Sequence, residues 1–390
     1  MICSLVASLL LAELMLHIIY SPHKIASGWS WHNSPVRNLS IYKNDVPNEL
    51  GFRGQPIKYE KDDYVVLLLG DSQVEAATSP SEKMPEKQLQ KYLTAQMNRS
   101  VKVFTLGAAG YGQDQELIAL ENYYKKYRAD LVLVWATPVN DFWENAFPDR
   151  RIRKFAGHIK PTFKLVNNVL QGPYFESDFV HDKYDYSELL HLIMMSIPRL
   201  GVGPIEQNIL RKWLQDLPPP HAKISNESCN NLQQIGDKEF DVSKIKPEAN
   251  YILITREDFI DSRSHYSPFA VNRSPRDNYL VNITGKLYER INDTASKNHS
   301  QFRVFYPDRF EFDRLYLNHV KCVQYGSDRS TAMPVKMDQV SLLKEVIPPE
   351  KLIVFDLPGG QELSFSETNP HLSDIGNERA MKNLAPLLVH

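Results

Sequence analysis

The stretch Val65–Ser72, Val-Val-Leu-Leu-Leu-Gly-Asp-Ser, constrains the fold more than any other part of the chain. Five large apolar residues in succession leave no polar face, which suits a strand buried on both sides, as in a parallel sheet covered by helices. The run stops at Gly70, which permits a sharp exit, and Glu82–Met97 beyond it has helical character. A serine at the C-terminal edge of a parallel strand stands where open α/β sheets bind ligands and carry out chemistry. Taken alone, Gly-Asp-Ser is no more than a strand-to-helix turn with Asp71 or Ser72 as its cap. It does not stand alone.

The pattern recurs. Val101–Leu106 and Leu131–Ala136 are further β-rich runs, separated by helical stretches at Glu82–Met97 and Gln115–Lys126. This βαβαβ alternation predicts a parallel sheet with right-handed crossovers. From Phe147 to Asp277 the alternation lapses: Lys160–Gln171 predicts a hairpin turning at Asn167-Asn168, Tyr186–Leu200 has an apolar helical face, and Leu217–Glu248 reads as irregular. A helix over Tyr279–Ser296, strands at Phe302–Tyr306 and Leu352–Phe355, and a helix over Ile375–Leu388 then resume the α/β pattern. Residues 61–146 and 278–390 therefore form one α/β domain, and 147–277 an insertion that builds a lid or substrate wall.

Ahead of that domain lies an apolar run, Ile2–Tyr20, with Glu13 near its middle. At about 1.5 Å per residue it spans close to the ~30 Å hydrocarbon core of a bilayer. The glutamate costs about 2.5–3.5 kcal/mol on insertion scales for an acidic residue. No small-x-small cleavage site follows, so residues 1–24 read as a membrane anchor, with an uncleaved signal and a buried helix of the domain as the other readings. Residues 25–60 read as a tether that settles onto the domain through Asn48–Gly54. The expected location is extracytoplasmic, periplasmic or at the cell surface. The 390 residues carry a net charge of −2 with no basic stripe, which argues against a nucleic-acid partner. Cys229 and Cys322 either form a disulfide in an oxidising compartment or are two ordinary thiols. The twelve histidines include no His-x-x-x-His pair, and no metal site is expected.

Four short blocks fall at successive predicted strand ends: Gly70-Asp71-Ser72, the glycine-rich turn around Gly110, Asn140-Asp141 within Trp135–Trp143, and Asn369-Pro-His371 before the last helix. Each has a plain reading by itself, as a turn glycine, a helix cap or a surface histidine. Together and in this order they resemble the SGNH (GDSL-type) hydrolase superfamily. The resemblance covers Asn48–Pro148 and about Gln301–His390, and the Phe52-Arg-Gly, Gly110-Tyr-Gly-Gln-Asp-Gln and Asn140-Asp-Phe-Trp runs look like a bacterial, membrane-tethered branch.

The resemblance implies a flavodoxin-like three-layer parallel sheet, here with a large insertion and an N-terminal transmembrane helix. It implies a serine esterase that cleaves ester-linked acyl groups from an acylated small molecule or cell-surface glycan, without a cofactor. Ser72 would be the nucleophile and His371 its base, with an oxyanion hole of the Ser72 N–H, the Gly110 N–H and the Asn140 amide. Two positions depart from the family pattern. Pro138 stands where the third block has glycine, and Asn369, with Thr368 and Glu367 before it, stands where an aspartate usually orients the histidine. Asn369, Glu367 or a backbone carbonyl remain the choices for that third member. An O-acyltransferase using the same Ser–His pair and a non-catalytic binding module are the rival readings. Trp143 is a candidate substrate contact or a core residue. Asp71 reads as structural, and Asp114, Asp141 and Asp374 as capping or solvated.

Overall fold

The computed structural model describes residues 2–19, 48–147, 161–174, 189, 217–219, 227–236, 249–255, 266–308, 319–325, 332–366 and 369–389. The apolar N-terminal run forms helix α1 (Ile2–Ile19). Among the described residues no helix is long and apolar enough to cross a membrane.

The centre of the molecule is a five-stranded sheet, parallel throughout. Its strands follow in chain order as β1 (Tyr64–Gly70), β2 (Val101–Gly107), β3 (Leu131–Trp135), β8 (Gln301–Asp308) and β11 (Leu352–Asp356), and in space they lie β11-β8-β3-β1-β2. Numbered within the sheet this is 2-1-3-4-5, so the chain reverses direction across the sheet at β1, and the crevice beyond β1 and β3 is the topological switch point. Alternate residues feed opposite layers: Val65, Leu67 and Leu69 face one core, Val66 and Leu68 the other. Helices α4 (Gln113–Tyr124), α6 (Pro275–Lys297) and α7 (Gln339–Val346) cover the first face. Helices α3 (Pro85–Met97) and α8 (Asp374–Leu384) cover the second. Their starts carry recognisable local chemistry. Pro85 opens α3, and a capping box between Ser274 and Asp277 opens α6.

Strand β2 is an edge, and side chains close it. The Val103 N–H donates to Gln90 Oε1 (3.1 Å) and the Thr105 N–H to Glu86 Oε1 (3.0 Å). The Thr105 carbonyl accepts from Asn48 Nδ2 (3.0 Å) and the Val103 carbonyl from Gln55 Nε2 (2.5 Å). The segment after residue 47 is thus bonded to the domain, with Leu50, Phe52 and Ile57 buried in its core.

A hairpin of β4 (Thr162–Val166) and β5 (Val169–Tyr174) turns at Asn167 and Asn168, both at positive φ as a tight two-residue turn requires. The helix expected at Tyr186–Leu200 lies outside the described residues, apart from Leu189. In the stretch Leu217–Glu248, expected to be irregular, Gln233–Gly236 is instead a strand, β6. It joins a second sheet, ordered β10-β9-β7-β6, with β7 (Tyr251–Thr255), β9 (Val320–Tyr325) and β10 (Met333–Pro334). Its strands come from both sides of β8 in the chain, and a disulfide between Cys229 and Cys322 ties the two contributions together.

Candidate active site

Strand β1 delivers Ser72 at the start of a four-residue helix, α2 (Ser72–Glu75), whose N-cap is Asp71. Two glycines make this possible. Gly70 and Gly107 are paired at the ends of β1 and β2, and a Cβ on either would strike Val74, at 2.5 Å and 2.8 Å. Their absence of side chain lets α2 sit directly on the strand ends. The Asp71 carboxylate accepts from the Gln73 N–H (2.9 Å) and from Asn140 Nδ2 (3.1 Å).

Across the crevice, a two-stranded sheet of β12 (Ser364–Ser366) and β13 (Asn369–Leu372) carries His371. His371 Nε2 lies 2.7 Å from Ser72 Oγ, although 299 residues separate the two. A serine hydroxyl in hydrogen-bond contact with an imidazole nitrogen is the arrangement in which the ring can take the hydroxyl proton as oxygen attacks an electrophile. The Asn369 backbone pairs with Ser366. Its side chain, with Thr368 and Glu367, lies outside the described residues.

Gly110 sits in the loop after β2 at φ +78°, a conformation that favours glycine. The Ala109 N–H of that loop donates to Glu75 Oε2 (2.8 Å), so the last residue of α2 holds the loop against the serine's helix. Arg53 secures the far end of α2. Its guanidinium donates to the carbonyls of Glu75 (3.0 Å) and Ser79 (2.6 Å). Asn140 lies in helix α5 (Pro138–Glu144), and Pro138 occupies a first-turn position where its missing N–H costs nothing. The sequence pattern therefore brings Ser72, His371 and, through Asp71, Asn140 into one network. Trp143 is buried at 8% exposure in the core, its ring centroid 6.3 Å from that of Phe147.

Gln73, Glu75 and Arg53 were not legible as site residues. Ser72-Gln-Val-Glu75 has the spacing of a capping box, but Asp71 takes the cap and Glu75 turns to the glycine loop. Of the two roles expected for Asp114 and Asp141, capping or solvated, the structure shows capping, at the starts of α4 and α5. Asp114 accepts from the Gln115 N–H and Asp141 from the Thr137 N–H, both fully covered. Beside them Glu116 is buried, and neither of its oxygens has a hydrogen-bond partner among the described residues. Burial first, then the neighbouring carboxylates, push Glu116 and Asp141 well above the usual carboxylate range.

No protein-family model matches this chain, and no curated protein does. Among solved structures, a lipase from a goat rumen metagenome is 11% identical over 83% of this chain and 96% of its own, with a TM-score of 0.28. An acetyl xylan esterase is 13% identical over 83% of this chain and 100% of its own, with a TM-score of 0.26. A GDP-L-fucose synthetase from Naegleria fowleri is 12% identical over 77% and 78%, with a TM-score of 0.21. At these TM-scores the likenesses carry no weight for function.

Proposed function

We propose that the protein is a serine ester hydrolase of the SGNH type that removes acyl groups from an acylated substrate. The observation that carries this reading is the 2.7 Å contact between Ser72 Oγ and His371 Nε2 at the switch point of the parallel sheet. Ser72 attacks the acyl carbonyl while His371 takes its proton, then returns it to the leaving alcohol. Water, activated by the same imidazole, releases the acid and restores the serine. Negative charge on the carbonyl oxygen is met by the Ser72 N–H, the Gly110 N–H and the Asn140 amide. Asn140 has two N–H donors, of which Asp71 takes one and leaves the other for the oxyanion. No step calls for a cofactor.

In this reading the apolar run Ile2–Tyr20 holds the protein at a membrane, although α1 as described is not long and apolar enough to cross one, and the catalytic domain lies on the extracytoplasmic side. The Cys229–Cys322 disulfide supports that compartment, because such bonds persist where the surroundings are oxidising. A tethered enzyme suits a substrate that is itself held at the surface, such as an acylated glycan.

The test is fluorophosphonate labelling of the full-length protein beside Ser72→Ala and His371→Ala, with p-nitrophenyl acetate turnover on the same samples. Labelling and turnover in wild type, lost in both variants, are expected. A folded wild type that neither labels nor turns over would remove the hydrolase reading in favour of a binding module.

A further inference from the structure

We propose that Gln73 is a positioning residue for the base, a latch between the helix that bears Ser72 and the strand that bears His371; this rests on the Ser–His reading above. Gln73 Oε1 accepts the N–H of Leu372, the residue after His371, at 3.1 Å. The backbone of Gln73 is itself fixed, because its N–H donates to Asp71 Oδ1 at 2.9 Å. One residue is thus held by the cap of α2 and in turn holds β13.

The need for such a latch follows from where His371 sits. Strands β12 and β13 belong to neither larger sheet, and a two-stranded hairpin is marginal by itself in water. Leu372 is buried in the core beside α3 and α8, and the Ser373 N–H donates to the Leu363 carbonyl at 2.8 Å. Those contacts seat the hairpin in an apolar core shared by α3, α8 and Val74 of α2, and such packing is non-directional. The Gln73–Leu372 bond adds the directional tie from the hairpin backbone to α2. The bond acts on the backbone next to the imidazole, so it sets the distance from ring to Ser72 Oγ. The tautomer is a separate matter, governed at Nδ1. A displacement of about 1 Å in a reacting pair can cost roughly a hundredfold in rate, so a bond of ordinary strength has a large kinetic effect here.

The experiment uses the full-length protein with Gln73→Met, which keeps the length of the side chain and removes the acceptor, and Gln73→Glu, which keeps an acceptor oxygen. The readouts are kcat and KM for p-nitrophenyl acetate across pH 5–9, hydrogen exchange at the Leu372 amide, and Tm. Gln73→Met is expected to lower kcat by roughly tenfold to a hundredfold with KM within about twofold. It should also speed Leu372 exchange by roughly tenfold while Tm holds within a few degrees. Gln73→Glu is expected to restore both kcat and slow exchange. Wild-type kcat and unchanged Leu372 exchange in Gln73→Met would overturn the proposal. So would a parallel loss of kcat and Tm that Gln73→Glu does not repair, which marks a merely structural residue. If wild type neither labels nor turns over, the hydrolase reading fails by itself, and Leu372 exchange still decides whether the latch exists.

Discussion

Val65–Leu69 lies at zero exposure between two layers of helices, whereas among the described residues the four-stranded sheet of β6, β7, β9 and β10 has that cover on one face alone. Its Tyr251, Leu253, Val320 and Val323 join the main core, while among the described residues the opposite face packs Cys229, Ile252, Cys322 and Ala332 with Leu232 and Ile254. The first sheet is held by apolar area, at about 25 cal/mol per Å² buried. On the outer face of the second, the described apolar cluster is small and holds a covalent link, Cys229–Cys322. Edges differ too. Strand β2 has its outward N–H and C=O groups taken by Asn48, Gln55, Glu86 and Gln90, a closure made by side chains rather than by another strand.

The largest expected break in this contrast is Leu68→Asp. An unpaired charge between two helix layers costs several kcal/mol, enough to abolish folding of a domain whose whole stability is about 5–15 kcal/mol. Circular dichroism and Ser72 labelling should be lost together. Next is Cys229→Ser with Cys322→Ser. For a closed loop of 93 residues the chain-entropy model gives about 4–5 kcal/mol. That loss should fall on the second sheet, read as faster exchange in Tyr251–Thr255, while Ser72 labelling persists. Concerted loss of both would show that the two sheets unfold as one unit.

Glu86 gives the third and a pH dependence. Burial raises its carboxyl from 4.5 to about 7, against the opposing backbone bonds from Gln55 and Thr105. A folded-state pKa above the unfolded one means stability is full below about pH 4.5 and declines as pH rises to about 7, by about 3 kcal/mol in all. Urea midpoints of wild type should fall across that window, and those of Glu86→Gln should stay flat there. The smallest effect belongs to Gln234→Ala. Its amide donates to Gln324 Oε1 at 2.8 Å across the second sheet, and loss should cost about 1 kcal/mol. A midpoint shift much larger than that would mean the second sheet relies on side-chain bonding more than on its disulfide.

What the sequence made legible follows the same division. Strands such as Val65–Leu69, with an uninterrupted apolar run, announce themselves within their own few residues. Tyr251–Thr255 is as apolar, but its partners lie at Gln233–Gly236 and Val320–Tyr325, on either side of two long intervening stretches, and no local signal pairs them. The site divides likewise. Ser72 and His371 stand in motifs, and their contact was expected from them. Gln73 escapes notice because its partner is a backbone amide, which every residue but proline possesses. Glu116 and Asp141 resemble the polar faces of ordinary helices, and only the packing of α4 and α5 under the crevice reveals that they are dry.

The separation of Ser72 from His371 by 299 residues also has a meaning in time. At about 5–20 residues per second, synthesis places roughly 15–60 seconds between the emergence of the hydroxyl and that of the ring which the proposed mechanism gives it as base. Through that interval the nascent chain carries an ordinary serine. On the proposed mechanism reactivity arrives late, with the segment bearing His371, so a chain still being made is silent toward any ester it meets.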